Sequence, residues 1–338
     1  MLPKLLSFLS VAIALLIPIA ADRAGESSRQ DQDEAEATGL DVHAQMKNCK
    51  KCHLDNYEEW EKSTHAKSWK NPVFQEAIKN LPDKGEACAR CHAPDSVLLT
   101  GVEKLPNARK DARDYGVNCL TCHMDGKKYF GPHASKGHGG VVVMPEYLDA
   151  KWCSCCHGQP EVNKAHDQWT SYLESPSAGG EVSCQECHMP KIEREMVKSK
   201  KKLKDVQPAR TCRKHSFEGA FAVGKAEAAA VVEAKSEAQK LKVSVKAKTG
   251  HSLPASEGRE TRLEIAFHDA AGAPVEGGLN RVWDYAKKDV LTPGEKQSFD
   301  LAWPAAAKAT IKLDLVLLRA PGRDKDEIAP IARLEVVK

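Results

Sequence analysis

Apolar and polar residues alternate differently along three stretches of the chain. The first is a nearly unbroken apolar run from Leu5 to about Ala20, behind one lysine and ending at the small residues Ala20 and Ala21. It predicts a secretory signal peptide over 1–21, with an acidic linker over 22–40. A membrane anchor is the alternative. The run sits at the short limit of the roughly 20 residues that cross a bilayer, and Pro18 just before the Ala-Ala pair suits a cleavage site. From 41 to 224 neither the helical nor the strand period is sustained, and Gly, Pro and Lys recur, which predicts short helices joined by long loops. Beyond 241 the period becomes two. KLKVSVKAK, TRLEIAFHD, KQSFDLAW, TIKLDLVLL and ARLEVVK alternate between turns such as DAAGAP, TPGE and APGRDKDE. That spacing predicts a small antiparallel β-sandwich of immunoglobulin-like type over 241–338. Before it, Ala222 to Lys240 is rich in Ala, Glu and Lys and predicts a helix, with a connecting helix placed over 225–240.

What the middle stretch has in place of periodicity is a repeated pentapeptide. CKKCH (Cys49, Cys52, His53) returns as CARCH (Cys88, Cys91, His92), CLTCH (Cys119, Cys122, His123), CSCCH (Cys153, Cys156, His157) and CQECH (Cys184, Cys187, His188). With 12 cysteines and 13 histidines in 338 residues, chance would give on the order of 0.02 such pentapeptides per chain. Cys-x-x-Cys alone serves zinc knuckles and thioredoxin-like redox sites as well as c-type haem. The histidine at a fixed offset separates them. Two thiols three residues apart can bind the two vinyl groups of one porphyrin, and the next side chain then lies beneath the iron as proximal ligand. The motifs imply five covalent haem c groups with their iron. They stand too close together for each haem to have its own hydrophobic domain, so one shared core over 41–224 is expected. The fold class is therefore mainly α with long loops around a covalent multihaem core, plus the C-terminal antiparallel β-sandwich.

The signal peptide places the mature chain in the periplasm or outside the cell, where bare thiols oxidise. Cys155 and Cys212 are left over once the motifs are assigned. They either pair in a disulfide or stand as two unrelated buried thiols. A formal net charge of +3 with 29% charged residues does not imply nucleic acid as a partner, and no segment after the signal is apolar enough to span a membrane. Lys198, Lys200, Lys201, Lys202 and Lys204 form either a solvated loop or a docking patch for an acidic redox partner.

The stretch CKKCHLDNYEEWEKSTHAKSWKNP resembles the opening of small multihaem electron-transfer cytochromes, including the tetrahaem electron acceptor of hydroxylamine oxidoreductase. That resemblance implies His65 as a distal ligand. GVNCLTCHMDGKKYFGPH is similar to the same family and implies His133, with His138 as the neighbour able to replace it. HDQWTSYLESPSAGGEVSCQECHMP, RTCRKHSFEGAF and TGHSLPASEGRETRLEIAF resemble a broader multihaem group that includes extracellular cytochrome filament subunits. There the resemblance implies His215 and His251 as axial ligands. His166 is a further distal candidate, and His43 could serve a neighbouring copy in a self-assembled filament. His268, in LEIAFHD, reads as structural. Met124 and Met189 directly follow proximal histidines and cannot easily bend over their own haem, so methionine ligation is not expected.

Five haems need five distal ligands, and six histidine candidates stand outside the motifs. The count points to electron transfer between redox partner proteins through closely packed bis-histidine haems, not to catalysis. The alternatives are a multihaem nitrite- or hydroxylamine-type reductase with one open haem, and a conductive filament subunit. Pentahaem nitrite reductases typically carry a lysine in place of one motif histidine, and this chain has histidine in all five.

Overall fold

The computed structural model describes residues 41–158, 167–179, 182–198, 209–319 and 324–338. The signal peptide, the acidic linker, His166 and Lys200 to Lys204 lie outside these ranges.

Every pentapeptide lies on a helical turn, the conformation that puts residues three and four apart on one face. The helices are α1 (Val42–Cys52), α2 (Leu54–Lys62), α3 (Thr64–Lys67), α4 (Pro72–Ile78), α5 (Glu86–His92), α6 (Val97–Thr100), α7 (Cys119–His123), α8 (Ser154–His157), α9 (Gln168–Leu173) and α10 (Cys184–His188). Motif residues end α1 and occupy the last turns of α5, α7, α8 and α10. Local capping fixes where several begin. Asn118 accepts from Leu120 N and Thr121 N while Thr121 Oγ1 accepts from Asn118 N, a reciprocal box that starts α7 on Cys119. Asp83 carboxylate oxygens accept from Gly85 N and Ala87 N at the head of α5. Among the described residues the region also holds 3-10 turns at Arg113–Tyr115, Gly137–Gly139, Pro145–Leu148 and Ala150–Cys153, a short parallel pair, β1 (Tyr129–Gly131) with β2 (Val141–Val143), and an antiparallel pair, β3 (Lys191–Arg194) with β4 (Arg210–Arg213).

The chain then forms seven strands: β5 (Ala230–Glu237), β6 (Lys240–Ala247), β7 (Arg259–His268), β8 (Pro274–Asp284), β9 (Lys296–Ala302), β10 (Lys308–Leu317) and β11 (Glu327–Val337). They pair as a three-stranded sheet, β5-β6-β9, and a four-stranded sheet, β11-β10-β7-β8. Leu241, Val243 and Val245 from the first sheet and Leu263, Ile265, Phe267, Ile311, Leu313 and Leu315 from the second bury into one cluster with Trp283 and Trp303. In β6 the lysines 240, 242 and 246 point out and the apolar residues point in, as the period of two requires.

Two elements depart from the sequence expectation. The helix expected over 225–240 is absent, and β5 stands in its place. Helix propensity of Ala, Glu and Lys is worth tenths of a kcal/mol per residue, whereas pairing along all of β6 supplies a full ladder of hydrogen bonds. Ala238 and Gln239, both with positive φ (46° and 65°), form the two-residue turn that suits the twist of such a hairpin. The second departure is β8, which no alternation announces because Gly277 and Gly278 interrupt it. A Cβ on Gly278 would stand 2.4 Å from Ile265 O, and the β7–β8 register shifts there in a bulge.

Phe267 is fully buried and meets Trp303 edge-on at 5.5 Å. Phe267→Ala should cost the two-sheet unit about 3–5 kcal/mol. A fall in its denaturant midpoint, with the visible absorption of the rest of the protein unchanged, is the expected readout.

Candidate haem-binding sites

A haem-ligating imidazole must present one nitrogen to iron and usually has the other fixed by a hydrogen-bond acceptor. All five motif histidines meet that demand. The Nδ1 of His53 is 2.9 Å from Met196 O, that of His92 is 3.0 Å from Ser68 O, and that of His123 is 3.0 Å from Phe130 O. His157 Nδ1 lies 3.2 Å from Gln168 Oε1 and His188 Nδ1 lies 2.6 Å from Glu218 O. In each case Nδ1–H donates and Nε2 remains available. Four acceptors are backbone carbonyls, which no residue type advertises, so the sequence gives no sign of them.

The distal side can be tested against geometry. Two imidazoles bound to one metal at about 2 Å each, with ring centroids roughly 1 Å behind the nitrogens, stand about 6 Å apart. Four motif histidines face a second ring at that spacing. His53 and His138 are 6.0 Å apart, His123 and His215 6.1 Å, His188 and His251 6.2 Å, and His157 and His65 6.3 Å between centroids.

The distal rings are held neutral, the form that binds metal. Burial pushes His65 down to about 3, helped by the neighbouring His157 and His188, and pushes His215 and His251 down to about 4. His65 Nδ1 is buried without a hydrogen-bond partner, an orphaned polar atom of the kind a bound metal satisfies. Gly116 permits this placement: its φ is +54°, and a Cβ there would stand 2.3 Å from His65 O. His251 is supplied by the segment between β6 and β7, which Ser252 N fastens to Ser171 Oγ at 2.6 Å.

Not every histidine candidate is brought to a motif. His133 is exposed, near Arg210, and it is His138 from the same stretch that stands opposite His53. His138 has a left-handed backbone (φ 59°) within the glycine-rich turn Gly137 to Gly140, which directs it back toward α1. His43 is exposed and contacts Tyr115. His268 hydrogen-bonds Thr310 across the four-stranded sheet. Among the described residues no second imidazole faces His92; the ring beside it is Phe74, stacked parallel at 3.9 Å.

The anchor thiols of different motifs also meet. Cys49 stands beside Cys119, Cys91 beside Cys156, and Cys153 beside Cys184. Burial, then the nearby Cys155, pushes the Cys122 thiol up to about 12. Cys155 and Cys212 are not joined: Cys155 Sγ lies 3.8 Å from Cys156 Sγ, and Cys212 Sγ lies 3.4 Å from Ile192 O. Among the described residues no three His, Cys, Asp or Glu side chains are grouped to hold a bare metal ion, as a zinc knuckle pair would require. The motif imidazoles, each with Nδ1 held by an acceptor and four of them facing a second imidazole at about 6 Å, fit porphyrin-bound iron.

Such sites, repeated along one helical and looped region, define the class of multihaem c-type cytochromes. Residues 48–126 match the model of the family described as cytochrome c554 and c-prime. The fold is similar to that of a penta-heme cytochrome c552 from Thermochromatium tepidum, at 15% identity and a TM-score of 0.57, covering 87% of this chain and 98% of that one. A DUF3823 family protein from Bacteroides uniformis aligns at 11% identity over 32% of this chain and 53% of its own, with a TM-score of 0.22 that carries no argument. No curated protein matches. Among the described residues no helix is long and apolar enough to cross a membrane.

Proposed function

We propose that the chain binds five haem c groups and carries single electrons between redox partner proteins. The observation that carries this reading is the set of four histidine pairs at 6.0 to 6.3 Å, each containing one motif histidine and one distant histidine. Haem bound in this way supplies a one-electron couple whose potential follows its axial ligands, burial and hydrogen bonding. The chain's own work is to hold both imidazoles of each pair, to keep those of His65, His215 and His251 neutral by burial, and to exclude exchangeable ligands from those positions. The thiol contacts support close packing in a branched order, with the first motif beside the third, the third beside the fourth, and the second and fifth both beside the fourth. The neighbour with the shared fold is itself penta-heme, which supports the count. The two-sheet unit serves as an immunoglobulin-like cover that supplies His251. Export to the periplasm or cell exterior completes this reading, and assembly into a filament through His43 remains a separate proposal.

One observation favours a second reading. The face of His92 has no partner imidazole among the described residues, and His166, the remaining distal candidate, lies outside them. An iron open at that site would make the protein a reductase of a small nitrogen compound. Electron paramagnetic resonance separates the two. The carrier is expected to be low spin throughout and unchanged by nitrite or hydroxylamine. A high-spin signal of about one haem per chain that nitrite or hydroxylamine perturbs replaces it with the enzyme.

A further inference from the structure

Helix α2 presents Asn56 and Glu59 on one face, three residues apart, toward the segment that carries His215. Glu59 makes a two-pronged ion pair with Arg194, the last residue of β3, with Nη1–Oε1 and Nη2–Oε2 distances of 2.6 and 2.9 Å. The Arg194 side chain is 9% exposed and that of Glu59 is 21% exposed, so solvent screens the pair weakly. The same Oε2 that accepts from Arg194 also accepts the backbone N–H of His215 at 2.8 Å. Arg194 thus fixes the carboxylate, and the carboxylate fixes the histidine. The ring is held separately: His215 Nδ1 donates to Arg213 O at 3.0 Å, and the Asn56 amide nitrogen, itself a donor, lies 2.9 Å from that Nδ1 without bonding it in this tautomer. Arg213 and Arg194 lie at opposite ends of the β3–β4 pairing, so backbone and ring are referred to one rigid hairpin.

The geometry points to Glu59 and Arg194 as positioning residues that latch His215 opposite His123 and thereby set the spin state of the haem bound at Cys119 and Cys122. This deepens the bis-histidine reading of that site and rests on it. The alternative, a pair that only ties α2 to the hairpin, gives no reason for a shared oxygen on the ligand's own N–H. It also predicts no spectroscopic change at a single haem.

The test uses the full haem-loaded protein, with haem counted as pyridine haemochrome, spin state read by electron paramagnetic resonance, and carbon monoxide binding measured in the reduced form. His215→Gly is the reference and is expected to add one high-spin, carbon monoxide-binding haem to the unsubstituted baseline, returned to low spin by free imidazole. Glu59→Ala should add high-spin signal at the same haem. Glu59→Gln, whose amide oxygen can still accept from His215 N–H but which loses the charge pair, should add less. Arg194→Lys should fall between Glu59→Gln and the unsubstituted protein. If Glu59→Ala and Glu59→Gln both keep the baseline spectrum while His215→Gly becomes high spin, the latch is refuted and the axial pairing stands. If His215→Gly itself stays at baseline, the pairing fails and the latch with it. Where Glu59→Ala loses haem, Glu59→Gln decides by the same criterion.

Discussion

Produced in a host that attaches no haem, the full chain should keep its two C-terminal sheets and lose the rest of its fold. The cause lies in how buried apolar residues are distributed. Among the described residues the cohesive cluster, including the side chains packed against it, draws no member from before Ala220. Upstream, the buried apolar residues are scattered singly and many are small, among them Met46, Trp60, Ala66, Ile78, Ala89, Ala93, Val97, Leu120 and Ala150. Such a set cannot offset the conformational entropy of ordering so much looped backbone, about 1–2 kcal/mol per residue. Porphyrins would supply the missing apolar surface. Limited proteolysis of the haem-free chain is expected to leave one resistant fragment beginning near residue 225, with a β-type circular dichroism spectrum. A resistant fragment covering 41–224 would show that the helices and loops fold unaided.

The second large effect follows from His251. It reaches within 6.2 Å of His188 from the segment joining β6 to β7, and in the proposed reading the two-sheet unit would contribute a ligand as well as a cover. His251→Gly should leave the haem content and the sheet unit intact while opening one iron, seen as one added high-spin ferric haem and one carbon monoxide site on reduction. Burial, the main cause of that imidazole's lowered pKa, also shields the vacated position, so free imidazole should close it slowly. An unchanged spectrum would assign the fifth motif a different distal ligand and return the sheet unit to the role of a cover.

The motifs were legible because thioether chemistry leaves no freedom in their spacing, and the strands of the C-terminal unit because burial on one face imposes alternation. Where the chain escaped that rule, reading failed. In β5, strand geometry overrode the propensity of an Ala, Glu and Lys segment, and in β8 a glycine pair at a bulge broke the period. The candidate distal histidines can be named from the sequence, but which motif histidine each one faces cannot. Nothing local distinguishes His133 from His138, and the choice turns on a left-handed residue in a glycine-rich turn. Glu59 and Arg194 look like ordinary surface charges in sequence. Their meeting depends on a hairpin folding back over α2, which only tertiary structure reveals.

The carbonyl that orients His53 belongs to Met196, 143 residues further along the chain. At the usual pace of ribosomal synthesis, roughly 7 to 30 s separate the appearance of the two. For that interval the first pentapeptide exists without the group that will fix its imidazole, and His138, the ring opposite, is also made later. A haem attached within that interval would be held by its thioethers before either side of its ligand field was fixed. The intervening pairs KK, AR, LT, SC and QE share no chemical character, while the two cysteines and the histidine never vary. The covalent and ligand chemistry holds those three positions and leaves the pair between the cysteines free to differ.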